Sequence, residues 1–141
     1  SEPGFKYQMN DIAASIGLAN FTLAVRNVLK DQKNASYYDA HLVNQTKAPF
    51  DPNCSYWLYT ILVDDPTEFE EYMLGVGIQV SQVHTRNDEQ ACLPHPTSPL
   101  SGLDVFQAHM VSIPVGWWLT EPDLEKIVEA VNFYVEVPVH A

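Results

Sequence analysis

Between Asp11 and Val25 the only polar interruptions are Ser15, Asn20 and Thr22, so apolar positions run nearly all the way round the helix this spacing predicts. A helix with one apolar stripe is covered by its own domain; this one needs a second surface. Ala13, Ala14, Gly17 and Ala19 allow another backbone to come close, and Asn10 is a candidate N-cap that leaves the first helical amides facing outward. After Asp11 the first charge is Arg26, and from there the helix reads as an ordinary wet one to about Leu42.

A loop with Pro49 and Pro52 follows from Asn44 to Ser55. Tyr56 to Val63 is aromatic and β-branched with both faces apolar, which predicts a central buried strand. Asp65, Pro66 and Glu68 mark the start of a helix whose inner face is Phe69, Tyr72 and Met73, with Gly75 and Gly77 at its end. Ile78 to His84 alternates as a second strand. Residues 85 to 103 carry Pro94, Pro96 and Pro99 and are the least regular. A short helix over Asp104 to Met110 and an extended piece over Val111 to Val115 come next. In the last helix Thr120 and Asp123 form the cap, Leu119 and Leu124 a hydrophobic staple, and Leu124, Ile127, Val128 and Val131 share one face. Phe133 to Val139 reads as a final strand stopped by Pro138. The expected architecture is a small α/β (α+β) domain over residues 1–141, with a long first helix over about 10–42 and a sheet-and-helix core over about 56–139.

Composition changes this picture little. A chain of 141 residues with 46% hydrophobic and 18% charged residues is expected to fold as one domain. Seven basic against 18 acidic residues give a net charge of −11, which argues against a nucleic-acid partner. No run approaches the roughly 18 apolar residues of a membrane span, so no membrane partner is expected. The chain has no starting Met or signal peptide and opens abruptly, as a fragment would. Cys54 and Cys92 are expected as free thiols in a reducing, cytoplasmic setting. Asn20, Asn34, Asn44 and Asn53 are formal glycosylation acceptors that keep a secreted reading open, with Asn20 placed in a buried-looking helix.

Gly4-Phe-Lys-Tyr-x-Met-Asn-Asp-Ile-x-Ala-x-x-Gly-Leu18 resembles the segment that begins the C-terminal domain of the DegT/DnrJ/EryC1/StrS sugar aminotransferases. Ser36 to Leu42, Gly77 to His84, Ser112 to Gly116 and Leu119 to Leu124 continue the resemblance in order. It implies a few-stranded, mostly antiparallel sheet packed by helices, as in the small domain of fold type I enzymes that use pyridoxal 5'-phosphate on nucleotide-linked keto-sugars. It also implies a missing N-terminal domain carrying the cofactor lysine, since Lys6, Lys30, Lys33, Lys47 and Lys126 do not lie in that lysine's sequence context. No catalytic residue is therefore expected in this chain. Relatives with histidine in place of the lysine are dehydratases.

The resemblance assigns the loop with Lys6, Gln8 and Asn10 to the phosphate of the neighbouring subunit's cofactor, and residues 12–25 to a homodimer interface. Tyr7, His84, Arg86 and Asn87 become candidates for the nucleotide-sugar substrate, with Arg86 able to grip a diphosphate. The residues alone also allow a plainer reading: a solvated Lys6, a core His84, and an Arg86 paired with Asp88 on the surface. His84, His95 and His109 with Asp88 match no metal-ligand spacing, so no metal is expected. No glycine pattern marks a nucleophilic serine. Trp117-Trp118 suits a packed corner better than a stacking site. The rival to the enzyme reading is a non-catalytic dimerisation or small-ligand module.

Overall fold

The computed structural model describes residues 9–43, 45–47, 49–93 and 97–136. Asn10 opens the first helix, α1 (Asp11–His41), with its side-chain oxygen accepting from the Ala13 amide at 2.8 Å. The two halves of α1 differ. Asn34, Ala35 and Tyr38 are buried, while Ile12, Ile16, Leu18, Phe21, Leu23, Val25 and Leu29 are exposed. Asn20 is exposed as well, its amide donating to the Ile16 carbonyl.

The sheet has three antiparallel strands in the order β1 (Thr46–Lys47), β2 (Tyr59–Leu62), β3 (Met110–Ile113). Tyr59 faces Ile113 and Ile61 faces Val111, with Thr60 opposite Ser112 between them. Strand alternation therefore sends the first two pairs to one face and the third to the other. On the first face lie α1, α2 (Pro66–Gly75) and α4 (Glu121–Glu136): Ala35, Tyr38 and Leu42, then Phe69 and Met73, then Leu124, Ile127 and Val131 close one core with the strand residues. Burying an aliphatic or aromatic side chain of this size contributes about 1.5–3 kcal/mol. On the second face, Thr60 and Met110 meet Leu103, Phe106 and Gln107 of α3 (Ser101–His109) around a groove.

Local chemistry sets the helix ends. Asp65 Oδ1 accepts from the Thr67 and Glu68 amides at 2.9 and 3.0 Å, with Pro66 in the first turn, as expected. At the other end of α2, Gly77 adopts φ +79° so that its amide reaches the Leu74 carbonyl and the Ile78 amide reaches Met73. Thr120 and Asp123 cap α4 reciprocally: the Thr120 amide donates to Asp123 at 2.8 Å, and the Asp123 amide to the Thr120 hydroxyl at 3.4 Å. The Thr120 hydroxyl, donating to the Asp123 carboxylate at 2.6 Å, and then the Thr120 amide hold that carboxyl below its ordinary pKa.

Four expectations are corrected. Ile78 and Val80 are buried in alternation with exposed Gln79 and Ser81, yet the only ladder contact described there is an isolated bridge from Ser81 to Ser112, so Ile78–His84 is an extended segment and not a strand. Phe133 to Glu136 continues α4, because Val131 and Tyr134 meet the core at helical spacing; residues 137–141 lie outside the described residues. Trp57, read as part of a buried strand, is 70% exposed. Finally, α1 contains a stretch of 18 residues long and apolar enough to cross a membrane by length and composition, none of it buried, because Arg26 alone interrupts it with charge. A helix awaiting a protein surface has the same composition.

Candidate functional site

The groove on the second face of the sheet has a volume of about 500 Å³ and collects three of the expected substrate residues, His84, Arg86 and Asn87. Ser81 ties its wall to β3 through paired backbone bonds with Ser112, and Glu70 of α2 accepts the Gln82 amide at 3.1 Å. Gln107 of α3 donates to the His84 carbonyl at 3.2 Å, and Gln82 donates to the Gln107 carbonyl at 3.0 Å. The loop bearing His84 is thus fixed from two helices and a strand.

Arg86 does not reach outward for an anion. Its Nε and Nη2 make a forked pair with the Asp88 carboxylate at 2.9 and 2.5 Å, Nη1 bonds Asp104, and Glu89 lies 3.8 Å from Nε. Only 14% of its side chain is exposed. The hydrogen bonds of Asp88, then of Asp104, push the guanidinium pKa up, so the group is a permanent cation already surrounded by carboxylates. The plain reading, Arg86 paired with Asp88, is what the geometry contains. Asn87 begins the 3₁₀ turn Asn87–Glu89 that this cluster holds, and is exposed.

His84 is exposed, with its ring 5.5 Å from that of Trp57. Trp57 was not among the residues expected here, and its own sequence context pointed to a strand. The cause is Tyr56, which has φ +51°, a left-handed conformation that costs a bulky residue on the order of 1–3 kcal/mol. Tyr56 stacks on Phe50 at 5.4 Å and against Tyr59 at 6.2 Å, and its hydroxyl accepts from the Asp51 amide at 2.7 Å. Three contacts secure one strained residue.

Lys6, Tyr7 and Gln8 lie outside the described residues. Asn10 is described, and its side-chain oxygen is committed to the α1 cap. Of the described lysines, Lys47 donates to the Asp39 carbonyl and lies 3.4 Å from the Asp39 carboxylate, and Lys33 lies 4.0 Å from Glu121. Lys30 lines a groove along α1, and Lys126 sits beside Gly77. None of them borders the groove with His84, so the described residues do not by themselves fit pyridoxal phosphate. His109 holds the Val63 carbonyl at 2.9 Å, and His95 lies outside the described residues.

A separate polar cluster lies where α1 meets the turn before α4. Asn34 is buried and donates to the Val115 and Gly116 carbonyls at 2.9 and 3.0 Å, which removes it as a glycosylation acceptor; Tyr38 donates to Pro114 at 2.6 Å. Burial raises the Asp31 carboxyl above its ordinary pKa, opposed by the Trp117 amide. Trp118 lies over Gly116, where a Cβ would come within 2.1 Å of its ring. Trp117 and Trp118 are nonetheless 51% and 64% exposed, so the expected packed corner is only half covered. Cys54 and Cys92 are free and exposed, as expected.

Residues 1–132 match the model of the DegT/DnrJ/EryC1/StrS aminotransferase family. The fold is similar to the sugar aminotransferase CalS13 from Micromonospora echinospora, at 32% identity and a TM-score of 0.83 over 93% of this chain. It is similar to AtS13 from Actinomadura melliaura, at 37% identity and a TM-score of 0.79 over 94% of this chain. An aminotransferase, TlmJ from Streptoalloteichus hindustanus, shares the fold at 18% identity and a TM-score of 0.78, over 91% of this chain. The chain spans 37% of the length of each of these three. No curated protein matches it. With the match running through nearly every described element, the chain belongs to the DegT/DnrJ/EryC1/StrS aminotransferase family.

Proposed function

We propose that the chain is the C-terminal domain of a cytoplasmic, pyridoxal-phosphate-dependent nucleotide-sugar aminotransferase that transfers an amino group, with glutamate as donor, to a keto-sugar in polysaccharide or glycoside synthesis. The family match over residues 1–132, on a chain that spans 37% of the similar enzyme CalS13, carries this reading. The cofactor and its lysine would belong to the larger domain. Two free, exposed thiols support a reducing compartment.

In this reading the domain completes a site. Asn10 fixes the start of α1 by capping Ala13, and thereby sets the direction in which the preceding loop, with Lys6, Tyr7 and Gln8, reaches the partner's cofactor phosphate. The exposed apolar face from Ile12 to Val25 would be covered by the second subunit. His84 presents its ring to the substrate, while Asn87 sits on a turn that Arg86 braces through Asp88 and Asp104. Arg86 acts here by positioning.

The test is the visible absorption spectrum of the protein expressed from the complete coding sequence, before and after adding glutamate. A yellow protein whose band shifts supports the aminotransferase. A colourless protein reduces the chain to a dimerisation or ligand-binding module, and histidine in place of the upstream lysine points to the dehydratase.

A further inference from the structure

We infer that Trp57 is a stacking wall for a neutral hexose ring, with the His84 groove receiving the hydroxyls. The inference refines the nucleotide-sugar reading and rests on it for the source of the hexose.

Alternation counted back from Tyr59 and Ile61 would put position 57 on the core face of β2. The left-handed Tyr56 breaks that alternation, and the indole instead stands 70% exposed beside His84. A strained residue held by two ring contacts and a hydrogen bond, whose visible result is one outward tryptophan, is the kind of local strain that clusters at binding sites.

The charge around the groove selects the ligand. Arg86 is its one described cation, and Asp88, Asp104 and Glu89 all lie within ion-pair distance of it. One cation against three carboxylates leaves an acidic rim that repels phosphate. Thr60, Thr85 and Gln107 line the groove with oxygen acceptors. A pyranose carries many hydroxyl donors and a flat C–H face; a nucleobase carries few donors and comes with its phosphates. A groove of about 500 Å³ lies in the range of small-molecule sites. The hexose therefore lies against Trp57, and the diphosphate lies away from Arg86.

The test is fluorine NMR of the full-length protein labelled with fluorotryptophan, with Trp57→Phe identifying the Trp57 signal. Methyl glycosides of glucose, galactose, mannose, fucose and rhamnose are titrated to about 100 mM, alongside uridine diphosphate without sugar. The expected result is a saturable shift of the Trp57 signal with at least one glycoside and none with uridine diphosphate. Trp57→Leu, which keeps apolar bulk without the ring, should weaken that glycoside roughly tenfold, read from the remaining tryptophan signals or by calorimetry. No shift with any glycoside, or an equal shift with uridine diphosphate, overturns the inference. The outcome is separable from the colour test: a colourless protein whose Trp57 responds keeps the sugar site and loses the aminotransferase, and a yellow one with a silent Trp57 does the reverse.

Discussion

The two halves of α1 differ in apolar content, with 10 apolar residues among positions 11–25 against 6 among positions 27–41, and the more apolar half is the uncovered one. Around Ala35 and Tyr38 the helix is sealed by β2, β3 and α4, while from Ile12 to Leu29 its large side chains face solvent. The difference lies in shape. Past Arg26 the apolar residues narrow to a stripe, which a sheet can cover; before it they encircle the helix, and no single surface reaches all sides. One half is built into the core, and the other is left uncovered among the described residues.

Substitutions should separate the halves by size of effect. The largest loss is expected from Ile61→Ala, which empties a fully buried site facing α1 and should cost about 2–5 kcal/mol in urea unfolding. Next, Asn34→Ala removes both donations to the 115–116 carbonyls and should cost about 1–3 kcal/mol by the same measurement. A loss as large as either at an exposed site would break the division.

Leu18→Glu with Phe21→Glu should move monomer stability by only about 0.5 kcal/mol and yet abolish self-association in sedimentation velocity. Unchanged association would place the interface elsewhere. The smallest effect is expected at Asp31, where the halves meet. A carboxyl whose folded pKa is raised favours the fold while protonated, and that advantage is lost as pH rises through the folded value. Asp31→Asn should therefore melt above the parent at neutral pH and converge on it below the ordinary carboxyl value of about 3.9. An offset independent of pH would remove burial as the cause.

What could be read from the sequence was what neighbours in the chain decide. The caps at Asn10, Asp65 and Thr120, the turn at Gly77 and the all-round apolar helix involve residues within a few positions of one another. The pairing of β2 with β3 joins Tyr59 to Ile113, and nothing local announces it. Ile78 to Ser81 alternates like a strand because it lies against the core, but among the described residues only Ser81 of this segment pairs with a strand, across Ser112. Phe133 and Tyr134 favour strands by type, and the packing of Tyr134 on Phe69 keeps them helical. At the candidate site the sequence offered two roles for Arg86, and the forked pair with Asp88 decides between them, reinforced by Asp104, whose position 18 residues on no local pattern announces. Trp57 was hidden for the same reason, since its exposure depends on the backbone angle of Tyr56.

The bonds from Tyr38 and Asn34 to residues 114–116 also set a clock for synthesis. They join groups 76 to 82 positions apart, so α1 leaves the ribosome long before its cover exists. At about 5–20 residues per second that interval is roughly 4–16 s, far longer than a helix needs to form. Both faces of α1 are bare throughout. If the proposed homodimer forms through residues 12–25, two chains growing on one message would be near enough to join their first helices while each is still being made, and pairing at birth would shield the face that their own sheets leave uncovered.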